Sequence, residues 1–268
     1  MTKRSFKTLI TRLLGGLFLG SFAAGAAQAQ VDNTIVSGNS SIDQIGTDNL
    51  AFVSASEASR STVTQSGSGN RATITINGAD NGDEDANIKQ TGENNDVTLE
   101  VDGDDNSFLV DQSGDGATNR AQLTQDGSFN DLNIVQDATG LTTGMANFAE
   151  VSQIGNANTA NVNQTAFAAN EVTFSNEVLI NQNGEGNSAS ITQSGSNNRS
   201  EQEQTGDNNT SNIIQNGDNN EIIHRQFGDD LSVPSQFGGI VIEQSGGASI
   251  MIEQYGAGVA PIIGPIGQ

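Results

Sequence analysis

The chain has 268 residues, with 32 acidic against 10 basic side chains and a net charge of −22. It contains no cysteine and no tryptophan, and aromatic residues make up only 4% of it. The missing cysteines exclude a disulfide framework and thiolate metal sites, and the negative charge argues against binding nucleic acid through its phosphates. Because aromatic residues are too few for an ordinary globular core, we expect a thin core that is repeated along the chain.

Residues 1–29 have the pattern of a secretory signal peptide. A basic start precedes the apolar run 13–24, and the small residues Ala27 and Ala29 fit a cleavage site. The basic start contains Lys3, Arg4, Lys7 and Arg12. We therefore expect cleavage after Ala29 and a mature chain outside the cytoplasm, with six basic residues against 32 acidic ones. The apolar run is too short to span a bilayer.

Three further segments follow this leader. Residues 30–41 are short and polar, and the sequence leaves open whether they are disordered, used in export, or half of a degenerate repeat. Residues 42–254 contain the repeats described below. The tail 255–268 contains Pro261 and Pro265 and is not predicted to form a strand.

The repeat is clearest between residues 182 and 226. Glutamine, asparagine and glycine each recur there at intervals of 11 residues. Between an asparagine and the next glutamine the residues alternate with a period of two, which predicts a strand. The four residues from each glutamine to the next asparagine favour a turn, in which glycine accepts a positive φ without steric cost.

Strands joined by such turns form a circuit of 22 residues, which is two copies of the repeat. If each circuit lies on the one before it, like residues stack about 4.8 Å apart. Stacked amides can then bond along their own column, so we expect inward asparagine and glutamine ladders. The expected ladder residues are Gln153, Asn158, Gln164, Gln182, Asn187, Gln193, Asn198, Gln204, Asn209, Gln215, Asn220 and Gln226. The expected turn glycines are Gly155, Gly184, Gly195, Gly206 and Gly217.

The same pattern extends over the rest of 42–254 with interruptions. We predict about 18 strands, or roughly nine circuits, which makes the fold all-β. The main interruptions are an acidic loop at 77–85, a looser segment at 137–146, an insertion at 165–175 and the proline-containing segment 227–238.

These motifs resemble the curlin repeat, Ser-x5-Gln-x-Gly-x-x-Asn-x-Ala-x3-Gln. One copy matches all but the leading serine, through Asn147, Gln153, Gly155, Asn158, Ala160 and Gln164. The resemblance implies a two-sheeted β-solenoid and a curli-type amyloid fibre subunit of the biofilm matrix that supports adhesion. It further implies sister subunits, an outer-membrane export pore and accessory chaperones as partners. Whether the chain is a major or a nucleating subunit is left open.

A solenoid core that never polymerises is the alternative interpretation of the ladders. A monomeric adhesin or surface-binding module would need a flat outward array, and we expect none because the outward residues are mixed (Ser190, Glu201, Asn212 and Ile223). No acid–base cluster indicates an enzyme, and no cofactor is implied. His224, the only histidine, is predicted to lie in the core.

The acidic turns have two interpretations. Asp104, Asp105, Asp207 and Asp218 could be calcium ligands, or they could serve turn geometry and limit aggregation. We favour the second because the glycine-rich calcium-binding repeat of β-rolls is absent. Phe129, Phe148 and Phe167 are expected to pack against turns rather than stack on sugars.

Overall fold

The computed structural model describes residues 32–35, 40–56, 59–79, 81, 87–138, 140–141, 143–166, 176–231, 240–245, 247 and 249–256. The predicted signal peptide, most of the insertion 165–175 with Phe167, and the tail beyond Gly256 lie outside these residues. In the part of the chain that is described, no helix is long and apolar enough to cross a membrane.

The described residues form two parallel sheets that face each other across one core. The even-numbered sheet has nine strands: β2 (Ser41–Thr47), β4 (Thr62–Ser68), β6 (Asn87–Glu93), β8 (Ser107–Asp115), β10 (Asp131–Ala138), β12 (Thr159–Ala166), β14 (Ser188–Gly195), β16 (Thr210–Asn216) and β18 (Ile240–Ser245). The odd-numbered sheet has ten: β1 (Asp32–Ile35), β3 (Leu50–Ala55), β5 (Arg71–Asn77), β7 (Asp96–Asp102), β9 (Thr118–Asp126), β11 (Met145–Ile154), β13 (Asn176–Asn183), β15 (Arg199–Thr205), β17 (Glu221–Phe227) and β19 (Ser249–Tyr255).

Consecutive strands lie in opposite sheets, and each strand pairs with the strand two places along the chain. The turn glycines reverse the chain across the core instead of closing a hairpin, so the chain winds as a two-sheeted β-solenoid. This confirms the predicted fold. The strand β1 is additional to the 18 strands predicted, and it pairs in parallel with β3.

The register places like residues on one another. Gln193 pairs with Gln164 on one side and Gln215 on the other, and Ile191 lies between Val162 and Ile213. Circuits measured between stacked glutamines have 22 residues in the regular block, 21 between Gln44 and Gln65, and 29 between Gln164 and Gln193. The insertions therefore lengthen turns, and between β9 and β11 the register shifts once, between Met145 and Asn147.

The core is narrow and continuous. One cluster of buried alanine, valine, isoleucine and leucine runs from Ala51 to Ile242, with Phe108 as its largest member. A second, smaller cluster consists of four alanines, Ala117, Ala138, Ala146 and Ala166. Small and branched side chains suit two strands that face each other across a thin core, which explains why aromatic residues are so rare in this chain.

Candidate functional site: the amide ladders

A glutamine ladder runs through the whole even-numbered sheet. In each step the Nε2 of one glutamine donates to the Oε1 of the next, over distances of 2.7–3.3 Å for the bonds from Gln65 to Gln244. Its nine members are Gln44, Gln65, Gln90, Gln112, Gln136, Gln164, Gln193, Gln215 and Gln244. The ladder has a direction, because every amide donates towards the C-terminal end.

The odd-numbered sheet carries a shorter glutamine ladder. It contains Gln125, Gln153, Gln182, Gln204, Gln226 and Gln254 and has the same direction. The places before Gln125 in this column hold Ala55, Ile76 and Val101. Because Val101 offers no donor, the buried Oε1 of Gln125 has no partner.

Twelve of the fifteen ladder glutamines, all except Gln44, Gln244 and Gln254, also tie the two sheets together. The second amide hydrogen reaches a backbone carbonyl at the start of a strand in the opposite sheet, as from Gln193 to Glu177 (2.9 Å) and from Gln204 to Ser188 (3.0 Å). Both hydrogens of a buried amide are thereby bonded, which removes the usual cost of placing glutamine in a core.

Two columns of stacked asparagines lie at or next to the first residues of the strands. One contains Asn49, Asn70, Asn95, Asn119, Asn147, Asn176, Asn198 and Asn220, and the other contains Asn81, Asn106, Asn130, Asn158, Asn187 and Asn209. Where the amide of one asparagine bonds to the next, Nδ2 donates towards the N-terminal end, opposite to the glutamines. The Nδ2 of Asn187 also donates to the Gly206 carbonyl of the following circuit (2.8 Å), so one side chain joins three circuits.

The twelve predicted ladder residues therefore all lie in these four columns, and all are buried. Their role in fibre growth stays a prediction. The ladder members before residue 153 were not among the predicted ladder residues. The spacing Gln-x-Gly-x-x-Asn also holds at Gln44, Gln65, Gln90 and Gln125, and it would have found these four glutamines.

The predicted turn glycines all have positive φ, from 94° at Gly217 to 135° at Gly184. Stacking adds a second requirement. A methyl group on Gly195 would overlap the carbonyl oxygen of Gly217 in the next circuit, and one on Gly206 would overlap that of Gly228. Glycine is thus needed both for the reversal and for the close approach of successive turns.

The acidic turn residues serve the same stacking. Asp207 accepts a hydrogen bond from the backbone N–H of Glu185 in the preceding circuit (2.8 Å), and Asp218 accepts one from Ser196 (2.8 Å). Asp104 does the same for Ala79 (2.7 Å). Within the described residues, no group of three histidine, aspartate or glutamate side chains could hold a metal ion.

A polar cluster interrupts the core near the C-terminal end. His224 is fully buried, with Nδ1 2.6 Å from the Ser211 hydroxyl and Nε2 3.3 Å from the Gln254 Oε1. Burial lowers the pKa of His224, although the hydrogen bond to Gln254 opposes this. Beside it, Gln202 is 1% exposed and neither of its amide atoms has a partner. The sequence predicted the burial of His224 but not the unpaired amide.

The four outward residues belong to two different sheets, which corrects the expectation that they form one mixed surface. Ser190 and Asn212 face outwards from the even-numbered sheet, whereas Glu201 and Ile223 face outwards from the odd-numbered one. The sequence pattern was misread because successive repeats belong to opposite faces of the solenoid. The expectation for Phe129 was also wrong, since its side chain is 64% exposed.

Alternating charges bond along the outer face of β13, β15, β17 and β19. Arg199 contacts Glu177, Glu201 and Glu221 at 3.6, 2.8 and 3.3 Å, and Arg225 contacts Glu201 at 2.8 Å. Partial burial alone would raise the pKa of Glu201, but the hydrogen bonds from Arg225 and Arg199 outweigh it and hold that pKa below its usual value.

The fold and the ladders together define a two-sheeted β-solenoid whose circuits are joined by side-chain amides. The family model described as curlin associated repeat matches residues 83–114 and 175–206. Over these two stretches the chain matches the curlin repeat, which confirms the resemblance inferred from its sequence. No curated protein and no solved structure matches the chain.

Proposed function

We propose that the chain is a secreted structural subunit that self-assembles into curli-like amyloid fibres. In this proposal the fibres belong to a biofilm matrix and support adhesion, and the subunit leaves the cell after cleavage near Ala29. The curlin repeats and the β-solenoid fit a structural protein rather than an enzyme. Export through an outer-membrane pore, with accessory chaperones and sister subunits as partners, is part of the same proposal.

The observation that carries the proposal is the pair of unmatched ladder ends. At the N-terminal end, the Oε1 of Gln44 has no donor, and at the C-terminal end, the Nε2 of Gln244 has no acceptor. These two atoms complement each other, because every step of the ladder joins an Nε2 to an Oε1 in this direction. A second copy that placed its β2 on β18 would continue the ladder with the same bond.

The two ends also match in their apolar residues. Extending the registers of the two sheets by one circuit places Ile42 on Ile242 in the even-numbered sheet. In the odd-numbered sheet it places Phe52 on Met251, whose side chains are 36% and 50% exposed in the single chain. The junction would therefore cover apolar surface in addition to pairing strand edges.

The strand count adds one condition to this junction. With ten strands in one sheet and nine in the other, stacked copies cannot continue both sheets while β1 stays in place. If β1 leaves β3, the β19 of the neighbouring copy fills its position and β18 meets β2. The exchange replaces the four-residue pairing of β1 with a pairing along a seven-residue strand. Head-to-tail growth in this proposal therefore begins with the release of β1.

Polymerisation of the chain 30–268 tests the proposal. We expect a lag, then thioflavin-positive fibres, and loss of the lag when preformed fibres are added as seeds. Deleting residues 30–39, which removes β1, should shorten the unseeded lag. A chain that stays monomeric for days with seeds present would contradict the proposal and favour a monomeric β-solenoid adhesin or surface-binding module. Seeding a sister subunit would distinguish a nucleating subunit from a major one.

A further inference from the structure

One face of the solenoid lacks charge over three adjacent strands. The outward side chains of β12, β14 and β16 are serine, threonine, asparagine and a single isoleucine. They are Thr159, Asn161, Asn163, Thr165, Ser188, Ser190, Thr192, Ser194, Thr210, Asn212, Ile214 and Asn216. We call this set the neutral face.

The opposite face of the same circuits is charged. The outward side chains of β13, β15 and β17 include two arginines and four glutamates, which are Glu177, Arg199, Glu201, Glu203, Glu221 and Arg225. On the even-numbered sheet itself, charges return on both sides of the neutral face, at Asp131 and Asp137 of β10 and at Glu243 of β18. The neutral face is therefore a bounded patch.

Charge determines which surfaces of two copies can approach each other. With six basic against 32 acidic residues beyond residue 29, two copies repel over most of their surfaces. The neutral face escapes this repulsion, and its short hydroxyl and amide side chains can donate and accept hydrogen bonds across a close contact. We propose that the neutral face pairs with the neutral face of a second copy, so that two filaments associate side by side.

The size of the patch indicates when this pairing is stable. Three strands of about seven residues cover roughly 14 by 23 Å, or about 300 Å² per copy. Two such patches bury about 600 Å², well below the roughly 1,200 Å² of a stable interface. A single pair is therefore weak. In a fibre the patch recurs once per copy, and the repeated contacts act together. The inference thus rests on the proposed function.

Two matched substitutions test the pairing. Asn163→Glu places a charge on the neutral face, where the stacked neighbours Val135 and Thr192 are uncharged. Asn183→Glu makes the same change on the opposite face, where the stacked neighbours Ile154 and Thr205 are also uncharged. Both asparagines are exposed. Fibre width is measured by negative-stain electron microscopy, and growth is followed by thioflavin fluorescence.

We expect the unmodified chain and N183E to form paired filaments and N163E to form single filaments of half the width. All three chains should grow at the same rate within a factor of two, because neither site lies at a growing end. Equal widths for all three chains would overturn the pairing, and so would equal narrowing by both substitutions. A third result would also overturn the pairing. In it the unmodified chain forms single filaments that sediment with a neutral glucan, and the N163E filaments do not. This result would assign the neutral face to binding a polysaccharide.

Failure of the proposed function gives a different result. If no chain forms fibres under seeding, the pairing is tested on the dispersed chains by analytical ultracentrifugation at millimolar concentration. A weak dimer of the unmodified chain and of N183E that N163E abolishes supports the pairing. Monomers throughout, or a dimer unchanged in N163E, overturn it.

Discussion

The circuits towards the two ends of the solenoid fill the core with different kinds of residue. In β3, β5 and β7 all three inward places of each strand are apolar, as in Ala72, Ile74 and Ile76. In β15 none is apolar, since the strand turns Ser200, Gln202 and Gln204 inwards. Yet the part of the chain with the polar core is the one in which the repeat is most regular. Regularity in this sequence therefore follows the ladders and turns, and not the hydrophobic core.

The largest effect on stability is expected in the stacked turns, which are built in the same way in both regions. Gly206→Ala should lower the free energy of unfolding by about 2–5 kcal/mol, because the methyl group meets the Gly228 carbonyl and the φ of 111° is unfavourable. Gly67→Ala in the N-terminal region should cost a similar amount. Urea unfolding of freshly purified chains measures both.

Gly140 provides the control for this prediction. It also has a positive φ, of 86°, but nothing lies within 4 Å of an added methyl group. Gly140→Ala should therefore cost only about 1–2 kcal/mol from backbone strain. An equal loss at Gly140 and Gly206 would show that stacking contributes nothing beyond conformation.

A smaller effect is expected from breaking a ladder, and it should depend on where the break falls. Gln182→Leu leaves the Nε2 of Gln153 without its acceptor and the Oε1 of Gln204 without its donor, so we expect a loss of about 2–4 kcal/mol. Gln125→Leu moves the existing unpaired oxygen from Gln125 to Gln153 and removes the bond to the Ser107 carbonyl, so it should cost less, about 1–2 kcal/mol. Equal losses in urea unfolding would contradict the ladder account.

At Gln202 a substitution is expected to increase the stability of the chain. Gln202→Ile should stabilise the chain by about 1–3 kcal/mol, because both buried amide atoms lack partners and the stacked residue in β13 is Ile180. A rise in the urea midpoint for Q202I with an unchanged slope checks the prediction, whereas a fall would mean that the amide is bonded in solution.

The smallest effect concerns pH. Burial holds the pKa of His224 below its ordinary value of 6.5, so the unfolded chain takes up the proton first as the pH falls. The part of the free energy of unfolding that depends on a neutral His224 is present above pH 6.5 and is lost progressively as the pH falls below it. We expect the free energy of unfolding to fall between pH 7 and pH 5, and His224→Ile to remove the part of that fall that His224 causes. An identical pH profile for both chains would refute this.

The sequence predicted whatever depends on local period. The alternation of residues predicts the strands, and the spacing from glutamine to asparagine predicts the turns. The stacking of like residues predicts the register, so Gln193 was placed correctly between Gln164 and Gln215. What it missed depends on which sheet a strand joins. Ser190 and Glu201 are one repeat apart but lie on opposite faces, and that separation becomes visible only when outward residues are compared 22 positions apart.

Single residues were missed for other reasons. Phe129 has a positive φ of 60° at a turn position that elsewhere holds asparagine, aspartate, glycine or, at Ala157, alanine, and its ring is exposed. Gln202 belongs to a residue type that pairs almost everywhere else in the core, and its isolation follows from Ile180 on one side and His224 on the other. Neither result can be read from the repeat.

The central claim is head-to-tail growth through the junction of β18 with β2. Because the chain has no cysteine, single-cysteine variants test it directly. The register of the even-numbered sheet places Glu243 of one copy on Asp43 of the next, within the Cα separation that a disulfide requires. Fibres grown from an equal mixture of D43C and E243C chains are oxidised and separated by non-reducing electrophoresis. We predict dimers that contain one chain of each variant, whereas D43C–D43C dimers, or no cross-link between copies, would contradict the account.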